Sequence, residues 1–274
     1  MNYLTKTDLS LGPQFGSQMF QYAGLLALSK HLDMPIVFFN EHLKVFRGVQ
    51  LFEAFNIPTI FKSITEADHN NYTLEVGICD NKVFDLDPSS SWDIKGGFDT
   101  YHCWDRYRDV VRSTYKFKDS VLNVAKSSIN TIKAGDSTPL VSIHFRRGDY
   151  LEVASLNLTL DYYNQAIGII LEKFQQFKLV VFSDDITWCK EVIVGDNVYY
   201  SEGNSKYVDM CMMSLCDHNI IANSTFSWWG AWLNANVKKV VICPEDYVND
   251  STYSYINKNY YPRDWIALPL EYTN

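Results

Sequence analysis

Apolar residues in the second half of the chain fall into short blocks separated by polar punctuation, and the blocks alternate between two periodicities. Residues 140–145 form a short apolar run, the mark of a buried strand. Residues 161–174 instead space Tyr162, Ala166, Ile169, Ile170 and Phe174 at helical intervals, with Thr159 just upstream as a candidate cap. The alternation continues with a strand over 179–183, a helix over 186–194 and a strand over 198–200. A helix over 207–216, a strand over 219–222, a helix over 226–235 and a strand over 239–243 complete it. This pattern predicts a doubly wound parallel sheet, an α/β fold. Ligands bind such sheets beyond the C-terminal ends of the strands.

The first half is less regular. Residues 12–17 read as a glycine-containing loop, 18–31 as a largely apolar helix and 36–39 as a strand. Residues 60–100 carry no clear pattern, and 66–71 and 85–91 read as loops. Residues 135–139, Gly-Asp-Ser-Thr-Pro, are rich in turn formers and predict a boundary between domains 1–134 and 135–274.

Composition narrows the function. The 274 residues carry a formal net charge of −8, which makes the chain a poor binder of a phosphate backbone and excludes nucleic acid as an expected partner. An anionic substrate then requires a local basic cluster. The six cysteines form no CxxC pair or zinc-ligand spacing and read as reduced and structural. The opening MNYLTKTDLSLG has no apolar signal core, and no apolar stretch reaches the roughly 20 residues of a membrane helix. The expectation is a cytoplasmic protein, at most peripheral at the inner membrane face.

Three polar clusters sit at predicted strand ends. The first is His144-Phe-Arg146-Arg147-Gly-Asp149. It reads either as a surface ion pair or as a bidentate phosphate site, and strand alternation puts His144 and Arg146 on one side and Arg147 on the other. The second is Asn223-Ser224-Thr225-Phe226-Ser227 at a helix start, either a plain N-cap or an anion site. The third is Asp184-Asp185, which fits a metal site, a helix N-cap, or a carboxylate that accepts from the N1–H and N2–H groups of guanine.

In this order the clusters resemble the alpha-1,2-fucosyltransferase family, glycosyltransferase family 11. That family carries H-x-R-R-G-D-Y, then F-S-D-D, then a segment like I-A-N-S-T-F-S-W-W-G-A-W-L. The stretch Gln18-Met-Phe-Gln-Tyr-Ala and the closing Tyr261-Pro-Arg-Asp-Trp265 are also similar to its motifs. The resemblance spans residues 12 to 266. It departs in the N-terminal loop Gly16-Ser17-Gln18, where Ser17 stands in place of the usual Asn.

The resemblance implies a GT-B-like fold of two Rossmann-like domains with a cleft between them. The first domain serves the acceptor and the second binds the donor, with the C-terminal segment free to pack back on the first. It implies inverting transfer of fucose from GDP-beta-L-fucose to O2 of a galactose-containing glycan. A lipid-linked oligosaccharide of bacterial surface polysaccharide synthesis fits as acceptor. Arg146 and the helix start after Asn223 would stabilise the departing diphosphate, with Arg147 as a second contact or a support for Asp149. His144 would lie near the nucleoside, and Asp149 would orient the arginines. Glu152 and Asp99 are the candidate bases. The rival readings are a transferase of another GDP-sugar or acceptor, and an inactive sugar- or nucleotide-binding protein of this fold.

No cofactor and no metal are expected, because the acid pair lacks a nearby His or third acid. Transfer activity is therefore expected to survive EDTA. Full loss on chelation, restored by Mn²⁺ or Mg²⁺, would turn the Asp184-Asp185 pair into a metal site.

Overall fold

The structure is a computed structural model that describes all residues except 12, 13, 46, 67–70, 77–80, 249–253 and 271–274. The chain divides into two compact units, Met1–Lys118 and Asp119–Asn274.

The first unit contains β1 (Leu4–Thr5), α1 (Phe15–Leu32), β2 (Val37–Phe39), α2 (Leu51–Ala54), β3 (Ile60–Lys62), β4 (Asn71–Val76), β5 (Ser91–Gly96) and α3 (Arg108–Thr114). The strands pair in parallel as β1-β5-β4 and β2-β3, and a parallel bridge between Leu4 and Ile36 links the two sheets. The helix α1 is apolar on nearly every side and buries Phe15, Met19, Phe20, Tyr22, Leu25 and Leu28. It starts earlier than its sequence pattern suggests. Phe15 stacks on Phe55 at 5.9 Å, and this contact draws Gly16, Ser17 and Gln18 into the first turn instead of a loop. Residues 12 and 13 of the expected loop lie outside the described residues.

Residues 60–100 supply three strands that hydrophobic patterning misses. In β5 the buried positions include Ser91 and Asp93, because Asp93 accepts from the Thr7 backbone N–H at 3.0 Å and the Thr7 hydroxyl at 2.7 Å. The expected loops are shorter than read: Asn71 begins β4, Ser91 begins β5, and 67–70 lie outside the described residues.

The second unit contains α4 (Asp119–Lys133), β6 (Leu140–Phe145), α5 (Leu160–Phe174), β7 (Lys178–Ser183), α6 (Ile186–Val192), β8 (Val198–Tyr200), α7 (Lys206–Leu215), β9 (His218–Ile220), α8 (Thr225–Leu233), β10 (Val241–Pro244), α9 (Ser254–Tyr260) and β11 (Ile266–Leu268). Each element that the pattern predicts is present, with no end moved by more than two residues. Thr159 takes the N-cap position of α5, but its side chain makes no capping bond.

The units part at Lys118 and Asp119, not at 134 and 135. The helix α4 buries Val121, Ala125 and Ile129 and packs on α7. The Lys178 ammonium donates to the carbonyls of Ile132 and Lys133 at 2.9 and 3.0 Å, which ties the end of α4 to the start of β7. The turn formers at 135–139 thus join α4 to β6 inside one unit.

The second sheet is wholly parallel, in the order β11-β10-β9-β6-β7-β8. Numbered within the unit this is 3-2-1-4-5-6, the doubly wound order of a dinucleotide fold. The order reverses between β6 and β9. Chain crossovers leave that gap in opposite directions, so a crevice opens beyond the C-terminal ends of those two strands. The two longest polar clusters of the sequence, which follow β6 and β9, flank it.

The five described cysteines are free and buried. Cys79 lies outside the described residues. The Trp228, Trp229 and Trp232 run of α8 is core: Trp228 and Trp232 stack at 6.1 Å, and the Trp228 indole donates to the Tyr260 carbonyl at 3.0 Å. Among the described residues no helix is long and apolar enough to cross a membrane.

Candidate functional site

The two arginines after β6 turn in opposite directions, as strand alternation requires. Arg146 is held between two carboxylates, at 2.5 Å from Asp149 and 2.7 Å from Asp184, with its guanidinium 5.3 Å from the centre of the Tyr150 ring. The Arg147 guanidinium carbon sits 3.6 Å from the centre of the Trp188 ring, and its Nε donates to Asp185 at 3.1 Å. The Arg147 backbone N–H donates to the second oxygen of Asp184 at 2.9 Å. One carboxylate therefore holds the side chain of Arg146 and the backbone of Arg147 together. The fit is close: a Cβ on Gly148 would lie 2.6 Å from the Asp184 oxygen.

Asp185 is the N-cap of α6 and accepts from the Trp188 N–H at 3.1 Å. This bond, and then the bond from Arg147, hold its carboxyl below the usual range. The N-cap reading of the acid pair thus holds for Asp185, and both acids face the arginines. Among the described residues no three His, Cys, Asp or Glu side chains group around a metal position.

His144 is the last residue of β6 but one, and only 5% of it is exposed. Its ring packs 5.5 Å from Phe226. Burial, reinforced by Arg146, lowers its pKa to about 3, so the imidazole is neutral. Its Nδ1 is buried and has no hydrogen-bond partner among the described residues.

Across the crevice, Asn223 braces the loops that close it. Its amide donates to the carbonyls of Leu156 and Tyr247 at 2.9 and 3.0 Å, and its own carbonyl accepts from the Tyr150 hydroxyl at 3.2 Å. Its side-chain oxygen is buried without a partner among the described residues. Ser224 caps α8 by accepting from the Phe226 N–H at 3.3 Å, and Thr225 is the first residue of that helix. The Ser227 hydroxyl turns inward to the carbonyls of Ala222 and Ser224 at 3.4 and 3.5 Å.

One acid at this edge escaped the sequence reading. Register pairs His144 with Phe182, and the Ser201 N–H bonds to the Val181 carbonyl one position past Tyr200. His144, Phe182 and Ser201 therefore share one face of the sheet, at its C-terminal edge. The Ser201 hydroxyl donates to Asp209 of α7 at 2.6 Å. Burial raises the Asp209 carboxyl to about 6, against the pull of Ser201 and Asn204. In the sequence Asp209 looks like any first-turn helical acid, and no spacing separates it from one.

Glu152 is exposed on the short turn Gly148–Glu152. Asp99 follows β5 in the first unit. Gly16, Ser17 and Gln18 lie in α1, where the Gln18 amide clamps the 48–50 segment by donating to the Gly48 carbonyl and accepting from the Gln50 N–H, both at 2.8 Å.

Residues 3–269 match the family model described as Glycosyl transferase family 11. The O-antigen biosynthesis glycosyltransferase WbnK of Escherichia coli is 33% identical over 174 residues, 60% of this chain and 56% of that protein. The Alpha-1,2-colitosyltransferase of Escherichia coli is 37% identical over 166 residues, 55% of this chain and 56% of that protein. Galactoside alpha-(1,2)-fucosyltransferase 1 of Plecturocebus brunneus is 28% identical over 238 residues, 80% of this chain and 63% of that protein. The matches span little more than half the length of these relatives. Among solved structures, POFUT1 in complex with GDP-fucose aligns with a TM-score of 0.54 at 14% identity, over 88% of this chain and 97% of that one. NodZ alpha-1,6-fucosyltransferase soaked with GDP-fucose aligns at 0.57 and 10% identity, over 85% and 93%. NodZ comes from Bradyrhizobium. At such identities the likeness carries the fold, which is GT-B-like α/β.

The buried imidazole has a consequence for stability. The folded pKa of His144 is below its unfolded value, so its contribution is whole above about pH 6.5 and is lost as pH falls towards 3. Unfolding free energy from urea titrations should fall across that window, and His144→Asn should flatten the fall. An unchanged slope in the variant would mean that His144 takes up its proton in the folded state.

Proposed function

We propose that this chain, which belongs to glycosyl transferase family 11, transfers L-fucose from GDP-beta-L-fucose to O2 of a galactose residue in a glycan, with inversion. The observation that carries the reading is the pair of carboxylate-locked arginines at the crevice beside β6. An acidic chain that spends its acids on fixing two arginines beside a helix start is equipped for a diphosphate.

In this reading the acceptor oxygen attacks C1 of fucose from the face opposite the diphosphate. The C1–O bond breaks, and its electron pair leaves on the β-phosphate. Arg146 and the α8 N-terminus at Ser224 and Thr225 meet that developing charge, already oriented before the bond breaks. Asp149 and Asp184 hold Arg146 in place, and Asp185 and Trp188 hold Arg147. Asp184 and Asp185 are engaged in that way, so the base-reading acid is Asp209. The buried Asp209 carboxylate would accept from the N1–H and N2–H of guanine, and the neutral His144 and the Asn223 oxygen would meet the rest of the nucleoside diphosphate. The first unit serves the acceptor. The lipid-linked bacterial surface glycan remains the proposed acceptor class, supported by the O-antigen relative. A second reading, transfer of colitose, is favoured by the colitosyltransferase relative at 37% identity. Competition between the two donor sugars for one enzyme sample decides between them.

Incubation with GDP-fucose and a panel of beta-galactosides, read by mass spectrometry, should give a fucosylated product. Arg146→Ala should lower the rate ~10²–10³-fold, the usual loss for one oriented charge donor. Near-normal transfer by that variant would remove the arginine from the phosphate site.

GDP should raise the melting temperature far more than UDP or ADP at equal concentration. Adenine presents an acceptor where guanine has N1–H, and uracil offers one such N–H. Asp209→Asn should melt higher than the parent at pH 7, because a desolvated charge is gone, yet lose most of the GDP-specific shift. Equal shifts for all three nucleotides in the parent would leave only a phosphate site.

A further inference from the structure

The loops after β6, β9 and β10 meet at one hydroxyl. These strands are neighbours in the second sheet, and the strand order reverses between β6 and β9. Tyr150 sits in the turn Gly148–Glu152 after β6. That turn winds on the Arg147 carbonyl, which accepts from the N–H groups of Tyr150 and Leu151 at 2.7 and 3.0 Å. The Tyr150 side chain then crosses the gap. Its hydroxyl donates to the Asn223 carbonyl at 3.2 Å, past the end of β9. It also lies 3.4 Å from the Tyr247 hydroxyl, past the end of β10. Burial, and then the neighbouring Tyr247, push the Tyr150 hydroxyl above its usual range, so it stays protonated. The Asn223 carbonyl has no proton to give, so Tyr150 is the donor of this bond.

Both ends of the bond are anchored. On the β6 side the Arg146 guanidinium lies 5.3 Å from the centre of the Tyr150 ring, and Asp149 and Asp184 hold that guanidinium in turn. On the β9 side Asn223 is 2% exposed, and its amide donates to the Leu156 and Tyr247 carbonyls. Tyr247 is itself fixed. Its N–H and that of Val248 both donate to the Asn257 side-chain oxygen at 3.1 Å, and its ring stacks on Tyr260 at 4.1 Å. The Asn223 carbonyl belongs to the peptide unit that carries the Ser224 N–H. That unit is trans, so the two groups point in opposite directions. By holding the carbonyl, Tyr150 therefore fixes the direction of the Ser224 N–H at the start of α8. The backbone ladder between β6 and β9 runs from Val141 to Ile143 and stops short of this gap. Beyond it side chains join the two banks, through the Tyr150 hydroxyl and the Asn223 amide.

We propose that Tyr150 is a positioning residue that sets the width of the diphosphate crevice. It holds Arg146 on one bank and the α8 start on the other at the separation at which one diphosphate meets both. The inference rests on the glycosyl-transfer reading above. Tyr150 makes no bond to the sugar and moves no proton; it acts through Arg146 and Ser224.

Tyr150→Phe removes the hydroxyl and keeps the ring beside Arg146. In calorimetric titrations its GDP affinity should fall about 5–10-fold. GMP has no β-phosphate to span the gap, and its affinity should hold. The kcat for transfer from GDP-fucose should fall between ~10- and ~10²-fold, the scale of a small misplacement of an oriented group. Replacing Tyr150 by para-aminophenylalanine returns an N–H donor to the same position and should restore the GDP-to-GMP affinity ratio. The proposal is overturned if Tyr150→Phe keeps that ratio within about twofold of the parent. This holds whether both affinities stay or both fall together, because an equal loss is what a purely structural tyrosine gives. A parent that binds GMP as tightly as GDP overturns it as well, since no diphosphate is then gripped. A parent that prefers GDP but transfers no sugar overturns the glycosyl-transfer reading alone, and the affinity ratio of the variants still decides the role of Tyr150.

Discussion

The Asp184 carboxylate is the joint on which the second unit's site depends. One of its oxygens takes the Arg147 backbone N–H and the other takes the Arg146 guanidinium, while Gly148 leaves just enough room for it. Removing the carboxylate would free the loop after β6 and the direction of Arg146 together. This interaction crosses from the end of β7 to the end of β6, so it exists only once the parallel pairing of those strands is made.

The arginines illustrate how an acidic protein prepares for an anion. Each guanidinium side chain is about one-fifth exposed, so neither can stay unpaired at low cost. Carboxylates on short tethers supply the compensation while leaving other guanidinium N–H donors unspent. The cation–π contact of Arg147 with Trp188 adds a rigid wall at 3.6 Å. Two further polar atoms at this edge, His144 Nδ1 and the Asn223 side-chain oxygen, are buried and have no hydrogen-bond partner among the described residues. Groups of that kind are costly unless a partner arrives. They set the crevice apart from the middle of the sheet, where the Asn219 amide of β9 donates to the Ser142 hydroxyl of β6 at 2.7 Å.

The second half of the chain was legible because its strands are buried on both faces and its helices carry one apolar stripe, so the periodicities stay clean. In the first half only the helix α1 and the strand β2 were legible. The apolar surround of α1 gives no stripe, and β5 fills core positions with Ser91 and Asp93, whose burial depends on Thr7 and Tyr3 some 86–88 positions away in sequence. The boundary at 135–139 misled for a similar reason: turn formers mark a bend, but only the packing of α4 on α7 says which unit the preceding helix serves.

By itself the sequence determined the α/β alternation of residues 140–243, the position of the polar clusters at strand ends, and the opposite facing of Arg146 and Arg147, because these follow from local period alone. The tertiary structure decided which carboxylate serves which partner. Asp184 and Asp185 could be read as metal ligands, caps or base readers until the pairing of β6 with β7 turned them to the arginines. Asp209 and Asp99 were indistinguishable from solvated acids until burial raised both. Desolvation and pairing are properties of neighbours distant along the chain, and no local pattern carries them.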